Sequence, residues 1–524
     1  MDAETIHARR WGILSVLIVS LLVVVLDNTV LNVALKRIQD ELGTSQSELE
    51  WSINSYTLVF AGLLFTFGLL GDRLGRKRIV MIGLVLFGAS SLLSAYAQTP
   101  GQLIGARALM GIGAAAIMPA TLAIISNVFA PEERGRAIGV WAGAVGIGIV
   151  LGPVVGGALL EQFWWGSVFL INVPIVVLGV VLIAAIVPES KDPSPGRLDP
   201  VGVLLSIGGL VLLAYGIIKG GELASVSEPA AYLPAGAGLA SLGLFIWYEA
   251  RSDHPSLDVR LFRNPVFSTS VATIALIFFA MMGVLFFMTF YLQIVRGYSP
   301  LQTGLWFLPF AAAQLVFAPL SASFVQRFGI RAVATSGLAL LALGLAGFLL
   351  LDATSPMWIF VLTGLIQGIG TANVMPPATT AILSALPRER AGVGSAVQNT
   401  VRQVGGAMGV AVLGSLTSAL YRDDVTPHLT ALPESAQHAA GESIGATMGA
   451  AAQVGPQAAV QIQGPAFDAF VNSMHVTAVA AACVAGLATV LAFRFLPNMW
   501  PVAVPDQSSP EDAAEPVGAE EWTR

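Results

Sequence analysis

The chain has 524 residues, 55% of them hydrophobic and 11% charged, with a mean hydropathy of +0.76 and a formal net charge of −6. A soluble domain carries about 25% charged residues, so this balance excludes a soluble enzyme or a nucleic-acid-binding protein. The lone Cys483 lies in an apolar run and excludes a disulfide framework or a thiolate metal site.

In lipid only helices and closed barrels satisfy their own backbone. Barrels alternate apolar and polar residues, whereas here the apolar runs are continuous and roughly 20 residues long, enough for a helix to cross about 30 Å of hydrocarbon. In chain order they predict spans at 11–34, 51–70, 79–97, 102–126, 137–160, 167–187, 199–219, 231–249, 266–293, 304–325, 332–351, 357–384, 392–420 and 470–495, fourteen in all. The first follows a short polar stretch, Met1 to Arg10, and no small-residue cleavage pattern follows it, so it reads as a retained span rather than a signal peptide. The expected fold is therefore an all-α polytopic membrane protein.

Basic residues orient the spans. With both termini cytoplasmic, the inner side collects Arg9, Arg10, Arg73, Arg76, Lys77, Arg78, Arg134, Arg136, Lys191, Arg197, Arg251, Arg260, Arg263, Arg327, Arg331, Arg388, Arg390 and Arg494. The outer side keeps Lys36, Arg37, Lys219, Arg296 and Arg422; the first outer loop is the exception to the pattern. Residues 421–469 read as a long outer loop, and 501–524 as a disordered cytoplasmic tail rich in Pro, Ser and Glu.

A repeat runs through the chain. Gly111-Ile-Gly113, Met118-Pro119, Pro131 and Arg134 recur as Gly368-Ile-Gly370, Met375-Pro376, Pro387 and Arg390. Spans 1–6 and 9–14 thus read as two copies of one six-helix unit. The domains expected are an N-terminal bundle over 1–190, two inserted helices over 191–250 and a C-terminal bundle over 251–500. Duplicated bundles are a common build of secondary transporters, with the substrate site at mid-membrane between the halves.

Four local patterns stand out. After span 2 comes Gly68-Leu-Leu-Gly71-Asp72-Arg73-Leu-Gly75-Arg76-Lys77-Arg78, where glycines allow close approach and Asp72 sits among arginines at a helix end. Span 1 reads Leu26-Asp27-Asn28-Thr29-Val30-Leu31-Asn32-Val33-Ala34-Leu35. Span 4 reads Arg107-Ala-Leu-Met110-Gly111-Ile-Gly113. Span 5 carries Gly148, Gly152, Pro153, Gly156 and Gly157, a flat packing face with a bend. Together with Trp164-Trp165, Phe169, Asn172 and Pro174, and with Leu257-Asp258-Val-Arg260-Leu-Phe262-Arg263-Asn264, these resemble the major facilitator superfamily, and within it the fourteen-span drug:proton antiporters of the EmrB/QacA type, over nearly the whole chain. Lys36 stands where that family usually has Pro, and Met110 where Gln is frequent. The resemblance implies a major facilitator fold, a gating motif at residues 68–78, an antiporter motif in span 5, and efflux across the bacterial cytoplasmic membrane.

Ionisable residues inside a membrane mark functional sites by default. Asp27 lies about 16 residues, or some 24 Å, into span 1, and Arg107 a few residues into span 4, so the two sit at similar depth in the outer half. A carboxylate that burial drives towards neutrality and a cation drives back can switch with its surroundings. Asp27 is the expected proton-coupling residue and Arg107 its tuner; the alternative is a static ion pair joining spans 1 and 4. Asn28, Asn32, Asn54, Tyr56, Gln293, Gln314, Gln367, Asn373, Gln398, Asn399 and Arg402 are the expected cavity-lining residues, with interhelical hydrogen bonding the rival role for the span-13 set. The aromatics and methionines of span 9 are candidates for an adaptable apolar wall, against a bland reading in which they face lipid.

No phosphate-binding GxxxxGK[ST] loop and no HExxH occurs, and the five histidines are scattered. The sequence therefore calls for no cofactor and no metal, with a proton gradient as energy source and a small amphipathic or cationic drug as substrate, carried by a functional monomer in the bilayer. Export of one dedicated compound, such as a self-made antibiotic or a lipid, is the runner-up within transport. A receptor or scaffold on a transporter fold, and a membrane enzyme, stand outside it.

Overall fold

The structure, a computed structural model, describes residues 3–191, 198–223, 225, 227–252, 257–386, 391–433, 436–437, 440–454 and 456–498. Every regular element in them is helical. The N-terminal six spans comprise α1 (Ala3–Leu42), α2 (Gln46–Leu74), α3 (Arg76–Ala95), α4 (Pro100–Val128), α5 (Pro131–Gln162), and the short α6 (Ser167–Leu170) leading into α7 (Asn172–Ile186). An inserted pair follows, α8 (Pro200–Glu222) and α9 (Pro229–Glu249). The C-terminal spans comprise α10 (Pro265–Phe290), α11 (Pro300–Trp306), α12 (Leu308–Phe328), α13 (Ile330–Ala346), α14 (Met357–Ala372), α15 (Met375–Ser384), α16 (Ala391–Val425), α17 (Ile444–Val454) and α18 (Pro456–Phe495). Thirteen helices among the described residues are long and apolar enough to cross a membrane, and α5, of 32 residues, takes the place of the fifth expected run.

Two spans are broken where the sequence supplies proline. Pro309 lacks the N–H that would continue the helix of α11, which stops at Trp306 before α12 begins. Asn373 ends α14 ahead of Met375-Pro376-Pro377, which open α15. The segment 421–469, expected as a loop, is largely helical: α16 runs on to Val425, and α17 and most of the first third of α18 fall within it. Its alanines favour helix, while its polar residues broke only the apolar continuity that marks a span. The expected tail, 501–524, lies outside the described residues.

The internal repeat is visible in packing. A Cβ on Gly113 of α4 would stand 2.8 Å from the Gly83 carbonyl of α3, and one on Gly370 of α14 would stand 2.6 Å from the Gly337 carbonyl of α13. Gly111 presses on the Tyr56 carbonyl of α2 as Gly368 presses on the Phe310 carbonyl of α12. Each repeat thus nests its glycine-bearing helix against two neighbours at backbone contact, the closeness that small residues permit.

The inserted pair does not stand apart. Ile207 of α8 covers Gly62 of α2, and Leu210 and Ala214 join Leu58 of α2 and Ala407 of α16 in one buried cluster. So α8 lies along the seam where the N-terminal and C-terminal spans meet.

At the end of the helices that the basic residues assign to the outside, contacts cross that seam. Gln293, in a π-turn at Tyr291–Val295, donates to the Val33 carbonyl of α1 at 2.9 Å, and Ser299 donates to Glu161 at 2.6 Å. Gly304 of α11 abuts the Pro153 carbonyl of α5, and Gln39 of α1 donates to Ser443 at 3.0 Å.

Candidate functional site

Asp27 and Arg107 form an ion pair, each about 1% exposed at the side chain. Three further spans complete the site. The amide of Asn172, the first residue of α7, donates to Asp27 Oδ1 at 3.1 Å and to the Ser91 hydroxyl of α3 at 3.2 Å. Arg107 Nε donates to the Ser52 carbonyl of α2 at 3.1 Å. Its guanidinium carbon lies 4.4 Å from the Tyr56 ring centre and 5.8 Å from that of Phe169. Asn28, next to Asp27, donates to the Tyr56 hydroxyl at 3.2 Å. Met110, one turn along α4, brings its sulfur 3.9 Å from Arg107 Nη1 and accepts from Ser94 at 3.3 Å.

The chemistry of this cluster is asymmetric. Arg107 keeps a carbonyl and two ring faces as partners whatever the state of Asp27, so neutralising Asp27 does not strand the cation. Asp27, by contrast, is held by one cation and one amide, Arg107 and Asn172.

The segment 68–78 folds back onto the end of α7 and the residues just beyond it. Gly75 has φ +115°, open to glycine at little cost, and the Glu189 carboxylate fills the space where its side chain would be. Asp72 pairs with Arg76 at 2.9 Å, and the backbone N–H of Arg76 donates to the Ser190 carbonyl at 3.0 Å. Lys77 Nζ donates to the Ala184 carbonyl at 2.9 Å, Arg78 lies 3.6 Å from Glu189, and Arg73 is exposed. Gly68 and Gly71 face Pro119 and Ala120 of α4.

The span-5 glycines meet α1. Gly148 packs on Val25, Gly152 on Thr29 and Gly156 on Val30, while Gly157 and Pro153 turn to α11. The C-terminal repeat has a counterpart that its sequence pattern did not announce: Gly405 and Gly409 of α16 press on the Ala275 and Phe279 carbonyls of α10.

The other expected cavity residues do not converge on one point. Asn32 and Asn399 bond back within their own helices, to Asn28 and Ser395. Gln367 donates to the Gly344 carbonyl, Asn373 to the Ile369 carbonyl and Gln398 to Thr379, all within the C-terminal spans. Gln314 is half-buried. Arg402 stands 5.6 Å over the Phe278 ring. Asn54 is fully buried, with neither amide atom hydrogen-bonded. In span 9, Phe286, Phe287 and Met288 are buried and Phe278, Phe279, Met281 and Met282 half-buried, so they pack against protein rather than lipid. Ser52, Ser91 and Glu50 carry no mark in the sequence: a backbone carbonyl gives no sequence signal, and Glu50 sits just outside the apolar run of span 2.

The profile of the Major Facilitator Superfamily matches residues 17–410. The multidrug efflux pump LfrA of Mycolicibacterium smegmatis is 36% identical over 475 residues, covering 90% of this chain and 94% of LfrA. The methyl viologen resistance protein SmvA of Salmonella typhimurium is 36% identical over 414 residues, covering 79% and 83%. The tetracenomycin C resistance and export protein of Streptomyces glaucescens is 34% identical over 427 residues, covering 80% and 78%. Among solved structures, an inward-facing bacterial homologue of the lysosomal transporter Spinster aligns with TM-score 0.66 at 19% identity over 94% of this chain and 99% of that one. A D-xylose–proton symporter aligns with TM-score 0.59 at 15% identity over 93% and 98%, a likeness of fold alone. The chain is a multi-pass membrane transporter of small molecules and belongs to the major facilitator superfamily, among relatives named for drug efflux or resistance.

Proposed function

We propose that this protein exports amphipathic, often cationic, small molecules across the bacterial cytoplasmic membrane in exchange for protons. The N-terminal bundle, 1–190, and the C-terminal bundle, 251–500, rock about a central site, with both termini cytoplasmic and one copy sufficient. The observation that carries this reading is the Asp27–Arg107 pair, a buried carboxylate held by one cation and one amide. The functions that LfrA, SmvA and the tetracenomycin exporter are named for support the substrate class and the outward direction.

Asp27 takes its proton from the outer side as substrate leaves and yields it inward. Arg107 sets how readily it does so, and Arg402, Tyr56 and the span-9 aromatics contribute the cavity wall. Ethidium efflux from energised cells tests the scheme. Efflux is expected to stop with a protonophore, and also in the Asp27→Asn variant at unchanged membrane abundance. Normal uphill efflux by Asp27→Asn would remove Asp27 from the coupling role. A well-inserted protein with no ethidium efflux would point instead to a single dedicated substrate.

A further inference from the structure

Glu50 belongs to none of the motifs above, yet it is only 2% exposed. It lies on the second turn of α2, about 6 Å along the helix from its outer end. Its Oε2 has no hydrogen-bond partner. Its Oε1 abuts Gly414 of α16, where a Cβ would come within 2.7 Å of it, and Ser415 of α16 lines the same crevice. The third wall is α8: Gly221 packs directly on Ser415. One turn further in on the same face of α2 stands Asn54, whose amide is also unbonded. The two unpartnered groups share a stripe, i and i+4, that faces the seam.

Two cations stand near Glu50, but neither forms an ion pair with it, and Arg422 Nε is left without a partner. On α8, Lys219 pairs with Glu222 at 2.7 Å. On α16, Arg422 Nη1 donates to the Glu222 backbone carbonyl. From the outer segment, Glu442 joins the wall of the crevice that Gln46, Glu50, Ser418 and Arg422 line, adding a second acid. A charged carboxylate with one oxygen shut away from water and no cation paired with it is costly, and the neutral acid is less so. Separating the outer ends of α2 and α16 would return water to it.

We propose that Glu50 is a second proton-binding site, placed at the outer gate, which must be occupied for α2, α8 and α16 to close together. The proton comes from outer water to Oε2 and returns there when the gate reopens. It is therefore not part of the transported load, which remains with Asp27. By linkage, a proton that binds the closed form more tightly shifts the gate towards closure as the outer pH falls. The inference rests on the carrier reading only in needing a gate that opens.

Pulsed electron resonance on the full chain in lipid nanodiscs, in a Cys483→Ser background, tests it without substrate or gradient. Spin labels go on the exposed outer-loop positions Gln98 and Thr354, one in each half. Between about pH 5 and about pH 8 the distance is expected to lengthen as pH rises, and to do so also in Asp27→Asn. Glu50→Gln should hold the short distance throughout, and Glu50→Asp should restore the response with a displaced midpoint. A pH response in Glu50→Gln equal to the parent's, or none in the parent, overturns the proposal. Because no export is measured, either result leaves the test of efflux separate.

Discussion

At the scale of single residues, the Asp27 site shows what a sequence can and cannot disclose. The pairing with Arg107 was legible because depth along a helix follows from counting residues at about 1.5 Å each. The neutral members were not, since Asn172 enters from α7 and the Ser52 group is a carbonyl. Asn172 is also the residue whose loss is most informative after Asp27. Its amide bridges Asp27 and Ser91, so Asn172→Leu leaves the carboxylate one hydrogen bond poorer in a dry site. Hydrogen bonds to charged groups are worth about 1.5–3 kcal/mol. A loss of that order is expected in unfolding measurements in detergent, together with weakened efflux. An unaltered stability would mean that Asp27 is not charged in this state.

Between helices, glycine placement carries the architecture. The spacing of Gly148, Gly152 and Gly156 announced a flat face on α5, but not its partner; only the fold puts α1 there. The partner matters because Thr29 and Val30, two and three residues beyond Asp27, are what that face holds in place. Any side chain at Gly152 would overlap the Thr29 hydroxyl, so Gly152→Leu must push α1 from α5 and is expected to abolish efflux at normal membrane abundance. Gly105→Leu is the matched control. That glycine is exposed, and a Cβ placed on it would meet nothing within 4 Å, so its variant should transport as the parent does. If both variants fail alike, bulk on any span suffices and the contact with α1 is not special. The breaks were not legible: 304–325 and 357–384 each read as one continuous span, because apolar continuity runs through Pro309 and Pro376, beside which the helices stop and restart.

For the molecule as a whole, the repeat predicted two halves, yet which face of them is shut is a property of the state and leaves no trace in residue spacing. Here the outer contacts are made: Ser299 on Glu161, Gln293 on Val33, and α11 on the span-5 glycines. They join helices of opposite halves, with Val33, Gln293 and Gly304 buried in the seam and Ser299 and Glu161 at its rim. If these contacts part in every cycle, tying them must stop transport without harming the fold. In a Cys483→Ser background, Glu161→Cys with Ser299→Cys offers two thiols across the outer seam. A short bis-methanethiosulfonate linker should bridge them and abolish ethidium efflux, and reductant should restore it, because the linker is cleaved and nothing else has changed. Each single variant treated in the same way should keep its efflux. Transport that persists through full cross-linking would mean that substrate leaves by a route other than this seam, and the alternating opening of the two halves would have to be abandoned for this protein.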